Sequence, residues 1–355
     1  MFVTDYKDVI DKYELFWERT NKRPILNFFY RKEGCSDFRK PQDGEEKYLD
    51  KTYRYNVYKH KIANMGYVAE GVPMLFTDFG PGCLAACIGG SYKVSTETVW
   101  FDSEQFIKDW ENPPRILFDE QSDMWQRIVD SQRFYATDPD VHFSMTDLGG
   151  PLDIVASLRG TENLLYDLYD YPDEVKEFSS KVTAEWYKAF DRQVEIIKAA
   201  GQPYNCWMNV ISKKPYSPLQ CDFCYMISPA QFEEFVLDDL VAQTNYMERS
   251  IYHLDGPGEL VHVDMLTDMP KLTGIQWTSG AGNPPLCDEC WYDLYRKVQD
   301  KKKNLVLLGG VSEDDMAGSE RLIKSLDPTG VYISAKFSSK EKAEDMMEKI
   351  IRWSE

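Results

Sequence analysis

His253 and Asp255 stand two positions apart in YHLDGPG, an imidazole and a carboxylate that together can relay a proton or hold a metal ion. Ile251 to Leu254 is a β-prone run that Asp255-Gly256-Pro257-Gly258 breaks, and alternate side chains of a strand share a face. Both residues are therefore expected on one side of one strand end. Leu260, Val263, Leu266 and Met269 follow at helical spacing, and Gly274-Ile275-Gln276-Trp277 reads as the next strand. Chemistry in parallel α/β folds gathers at the carboxyl ends of strands, which makes His253, Asp255, Gln276 and Trp277 the first candidates. Asp78, at the end of MLFTDF before Gly80-Pro81-Gly82, and Asp222, in LQCDFCYMISP, are two further carboxylates at turns. Each has an ordinary structural role open to it: a bonded imidazole for His253, a helix cap for Asp78.

The cysteines argue for less. CDFC (221–224) and CDEC (287–290) are CxxC pairs, which in a small protein would suggest a four-cysteine zinc site. Here the second pair lies in a loop after Gly282-Asn283-Pro284-Pro285, and a shared zinc site is not expected. Cys83 and Cys87, four apart in CLAACIGG, are expected to pack in the core. His262 falls inside a helix and reads as structural. No nucleotide-binding glycine motif, GxSxG or HExxH occurs.

These residues need elements to position them. Residues 1–22 form an amphipathic helix pattern, and Pro24–Tyr30 is the first buried strand candidate. Residues 32–70 read as a long loop with short helices, and 91–115, containing Glu97, Trp100, Asp102 and Trp110, as an excursion over the top of the fold. Strands are expected at 74–79, 142–146, 204–210, 251–254, 274–278, 305–308 and 331–334. Residues 151–200 are mainly helical with a break at Tyr171-Pro172, and further helices start near Ser228, Pro257, Trp291, Ser312 and Ser339. Alternating β and α elements imply a parallel sheet. The expectation is one α/β domain over 1–355, a (β/α)8 TIM barrel with an N-terminal helical extension. A net charge of −18 argues against a nucleic-acid partner. No apolar run could span a membrane, no signal peptide is expected, and a cytoplasmic location with reduced thiols fits.

The order of motifs resembles the uroporphyrinogen decarboxylase superfamily, from about Pro24 to Trp353. FTDFGPGCLAACIGG, GGPLDIVASLRG, CDFCYMISPAQFEEFV, YHLDGPG and LVLLGGVS carry the likeness. The superfamily also holds barrel methyltransferases that work with corrinoid proteins. Asp78 resembles the carboxylate that contacts the tetrapyrrole in the decarboxylase. That enzyme has an arginine-rich loop after its first strand, where this chain offers Arg31. It has a tyrosine where Ser157 stands, and its C-terminal histidine motif is missing from VYISAKFSSKEKA. In the methyltransferase branch zinc is held by a His-x-Cys pair and a later cysteine; His253 matches the histidine and Asp255 stands in the first cysteine's place. The resemblance thus implies a methyltransferase moving a methyl group from a small methylated substrate, such as an aryl methyl ether, to a corrinoid carried by a separate protein. His253, Asp255, Asp222 and Asp78 would do the chemistry, and Tyr30, Arg31, Trp207, Gln276 and Trp277 would bind substrate. His253, Asp255 and Cys221 would hold any zinc, and a homodimer is left open. A lyase acting on an aromatic acid and a non-catalytic ligand-binding relative stay open beside it.

Overall fold

The computed structural model describes residues 3–101 and 106–354, so Asp102 lies outside the described residues. Short runs rich in aromatic and β-branched residues form the strands β1 (Ile25–Arg31), β2 (Met65–Ala69), β3 (Lys93–Val94), β4 (Val99–Trp100), β5 (Tyr216–Leu219), β6 (Arg249–Asp255), β7 (Gly274–Thr278), β8 (Asn304–Leu308) and β9 (Val331–Phe337). Seven of them build one sheet in the order β2-β1-β9-β8-β7-β6-β5. Every ladder is parallel except that of β2, which runs antiparallel to β1. β3 and β4 make a separate two-stranded ribbon.

The expected closed ladder of eight strands is not what forms: among the described residues the regular ladder has seven, and its end strands β2 and β5 do not pair. Three segments expected as strands give only single contacts. Leu75 bridges Phe143 in parallel, the Met145 N–H donates to the Asn205 carbonyl at 3.0 Å, and Tyr204 bridges Ser212. Pro73 has no N–H to give a ladder, and the chain turns away at Gly80 and Gly149, so each extended run is too short to pair further. The segments are tied to the sheet at both ends. The Val72 N–H donates to Asn27 Oδ1 at 3.3 Å on β1, and Cys206 Sγ lies 3.2 Å from the Tyr216 hydroxyl on β5.

Residues 32–70, expected as a long loop with short helices, do contain helices and differ in the strand β2. They hold helices at Gly44–Tyr48 and Lys51–Asn64 before β2. Asp43 accepts from the Glu46 N–H, and Asp50 accepts from those of Thr52 and Tyr53, satisfying donors that a helix start leaves open. Tyr53, Arg54 and Tyr58 then fall on one buried face. Among the described residues the amino-terminal helix covers Val3–Trp17 and so ends before residue 22. Trp17 Nε1 donates to the Ile211 carbonyl at 2.7 Å, and Glu14 pairs with the buried Arg249 at 2.7 Å. The helices Pro151–Arg159, Thr161–Asp170 and Pro172–Ala199 break where Gly160 takes a φ of 89° and at the expected Tyr171-Pro172. Among the described residues no helix is long and apolar enough to cross a membrane.

Candidate active site

β6 and β7 set His253 opposite Gln276 and Asp255 opposite Thr278. Gln276 is fully buried. Its Nε2 donates to Thr278 Oγ1 at 2.8 Å, which turns its Oε1 to His253 Nδ1. An amide oxygen only accepts, so with the amide in this orientation Nδ1 carries a proton. Nε2 is left for chemistry, 4.0 Å from Asp255 Oδ2. The indole of Trp207 meets the imidazole edge to face, with centroids 5.0 Å apart. One nitrogen is fixed and one is open, the arrangement a proton-transfer histidine needs.

Around this ring the charge is acidic. Asp222 begins a short 3-10 turn (Asp222–Met226) whose first two N–H groups donate to the Asp153 carboxylate at 3.1 and 2.9 Å. Asp153 comes from the helix Pro151–Arg159, so GGPLD and QCDFC are locked together. Burial and the Asp222 charge push Asp153 upward. Burial also raises Asp222; His253 works against that rise and Asp255 adds to it. Asp222, Asp153, Gly82, Gly149, Trp100 and Phe223 border a cavity of about 520 Å³.

Asp147 belongs to the same group, and nothing in the sequence reading singled it out. Thr77-Asp78-Phe79-Gly80 and Thr146-Asp147-Leu148-Gly149 repeat one pattern on neighbouring segments. In each, the aspartate Oδ1 accepts the glycine N–H at 2.9 Å, and the glycine takes a positive φ, 87° and 78°. Burial raises the Asp147 carboxyl to about 6, helped by the charges of Asp222 and Asp78 and opposed by His253. The repeated TD-x-G was the available signal. Glu259 is a further buried acid whose Oε2 accepts the Asp255 N–H at 3.1 Å and braces the turn after β6; burial pushes its carboxyl up to about 10.

Several expected site residues lie elsewhere. Trp277 follows Gln276, so its side chain projects from the opposite face; it is fully buried, with its ring 5.1 Å from that of Trp291. Tyr30 is likewise on the outer face of β1, its ring packed over Gly66 of β2, while its neighbour Phe29 faces a cavity. Arg31 is exposed and pairs with Asp37 at 2.8 Å. The expected zinc set does not fit. Cys221 is buried and hydrogen-bonds Cys224; this contact, with His262 and Tyr252, draws the Cys224 thiol down to about 6. Cys287 instead contacts Asp315 at 3.5 Å. Among the described residues no three histidine, cysteine, aspartate or glutamate side chains converge as an ion site, His253, Asp255 and Cys221 included.

No protein-family model and no curated protein matches the sequence. Among solved structures the chain is similar to a methyltransferase from Methanosarcina mazei, with a TM-score of 0.63 over 97% of this chain and 98% of that one. The sequences are 10% identical, so the likeness is one of fold: an α/β architecture around a mostly parallel sheet, with helices throughout.

Proposed function

We propose that this chain is a methyltransferase that takes a methyl group from a small methylated substrate, such as an aryl methyl ether, and passes it to a corrinoid protein. The observation that carries the reading is His253: Nδ1 tied to Gln276, Nε2 open beside carboxylates at the carboxyl end of a parallel strand pair. The name of the structural relative from Methanosarcina mazei supports it. So does the motif resemblance to the methyltransferase branch of the uroporphyrinogen decarboxylase superfamily, whose closed barrel the bridged segments around Leu75, Phe143 and Tyr204 would complete.

The corrinoid, brought by its own protein, would supply the cobalt that accepts the methyl group. What this chain contributes follows from the leaving group. An oxygen that loses its methyl departs as an alkoxide or phenoxide and needs a proton as it goes. His253 Nε2 is the donor in this reading, with Asp255 Oδ2 4.0 Å away and Gln276 Oε1 holding the proton on Nδ1. Trp207 closes one side of the imidazole as an apolar wall. Asp147, titrating near 6, is a second group able to hold a proton in weakly acid solution.

The test is to incubate the purified chain with cob(I)alamin and, separately, aryl methyl ethers, methylated amines and methyl thioethers, following methylcobalamin by its absorbance. Formation from an ether, lost in His253→Ala, supports the reading. A chain that methylates cobalamin from none of the three sinks it.

A further inference from the structure

A second cavity, of about 290 Å³, opens at the carboxyl end of β1, β8 and β9. The register sets Asn27 opposite Ser334 and Phe29 opposite Lys336; Asn27, Phe29 and Ser334 line the space. Alternate residues of a strand share a face, so Lys336 stands one step above Ser334 on the same side. β2 adds Tyr67, opposite Phe29, and the helix Lys51–Asn64 adds Lys61. Lys61 and Lys336 are near enough to repel: burial first, then the Lys336 charge, lower the Lys61 ammonium. Among the described residues neither ammonium is bonded to an acceptor or paired with a carboxylate. With 59 acidic residues against 41 basic ones, carboxylates were abundant for pairing, and two neighbouring lysines are nonetheless left without one. Lys61 borders the cavity and Lys336 stands beside it, in register with Phe29; like charges so placed disfavour one another until an anion sits between them. Phe29, Met74, Phe76 and Trp207 give the lining an apolar side, Asn209 and Tyr58 add polar groups, and Tyr67, whose phenol burial raises to about 12, is a neutral donor.

We propose that this cavity binds a small organic carboxylate, its carboxylate group between Lys61 Nζ and Lys336 Nζ and its apolar body against Phe29, Phe76 and Trp207. The volume is at the lower end for ligand sites and suits a body of about one six-membered ring. The assignment uses none of His253, Asp255 or Asp222 and shares only Trp207 with the proposed methyl-transfer site.

Calorimetric titration of the whole chain with benzoate, benzamide and inorganic phosphate tests it. Benzoate is expected to bind, with benzamide at least about tenfold weaker, because the neutral amide offers no charge to the two ammonium groups. Lys61→Gln and Lys336→Gln should each weaken benzoate by about fivefold or more without lowering the melting temperature, since removing either charge relieves the repulsion between them and both side chains keep contact with solvent. The proposal is overturned by benzoate failing to bind at about 10 mM, which is weaker than any specific site of this kind. Equal affinity for benzamide, unchanged affinity in the double variant, or tighter binding of phosphate than of benzoate would overturn it too. The neutral isostere needs no variant, so a misfolded mutant could not rescue or hide the result.

Discussion

The strand pairs β6/β7 and β1/β9 are built alike and charged oppositely. In each, parallel strands bring polar side chains into register on the inner face: His253 with Gln276, and Asn27 with Ser334. In each, the adjacent residue on the outer face is a large aromatic sealed into the shell, Trp277 against Trp291 and Phe28 against Phe337 at 4.8 Å. The difference comes from what the flanking segments bring. Turns carrying Asp78, Asp147 and Asp222 surround the first pair with carboxylates, while a helix and β9 itself place Lys61 and Lys336 beside the second. The sheet supplies position; the connections supply charge. That division would let one face serve a proton donor at one end and an anion at the other.

The sharpest way to break the comparison is His253→Ala. If the β6/β7 end is the chemical one, turnover of a methylated substrate falls by roughly 10²–10⁴-fold, the usual worth of general acid–base help. The melting temperature, measured on the same preparation, should barely move. A variant that unfolds while its folded fraction turns over normally would make the histidine structural.

Trp277→Ala tests the outer face of the same pair. Removing a fully buried indole should cost about 3–5 kcal/mol of stability, read from chemical denaturation. The Michaelis constant of the folded fraction should stay within error. A selective rise in that constant would put Trp277 back at the substrate.

Asp147→Asn has a signed pH dependence. The Asp147 carboxyl titrates near 6 in the folded chain against an ordinary 3.8. The folded state therefore holds more protons than the unfolded one between those values, and this residue's contribution to stability falls as pH rises through that window. The asparagine keeps an oxygen for the Gly149 N–H and carries no charge. Above pH 6 the variant should be more stable than the wild type by about 1–3 kcal/mol, with the gap closing toward about pH 4. Equal stability at all pH values would mean that Asp147 is not desolvated. The smallest effect is expected of Tyr30→Phe on the outer face of β1, within about 0.5 kcal/mol and without change in catalysis.

The chain's own pattern revealed the second half of the molecule far better than the first. β6 to β9 are short strands centred on apolar residues and separated by helices, and each was legible because it pairs on both edges. The segments at Leu75, Phe143 and Tyr204 have equally apolar residues, but prolines and aspartate–glycine turns shorten them, and composition does not register that. β2 was hidden because its five residues directly follow a charged, tyrosine-rich helix. At the candidate site, His253, Gln276, Asp222 and Trp207 were recoverable from strand ends and motif order, and they come together or border one another. Gln276 and Trp277 could not both face inward, and the same alternation rule that placed His253 with Asp255 would have separated them. Cys221 could not be placed from spacing, since a CxxC can turn its sulfurs inward or outward.

Trp207 has a mechanical consequence. Its ring touches His253 on one side and borders the lysine cavity on the other. Two residues on, Asn209 adopts φ 55°, accepts from Asn205 Nδ2 at 2.8 Å and donates to the Val72 carbonyl at 3.0 Å. These bonds hold the backbone turn just after Trp207. If both compartments bind ligand, the indole between them would act as a ruler, and a molecule reaching both would be selected by its length before any of its contacts were made.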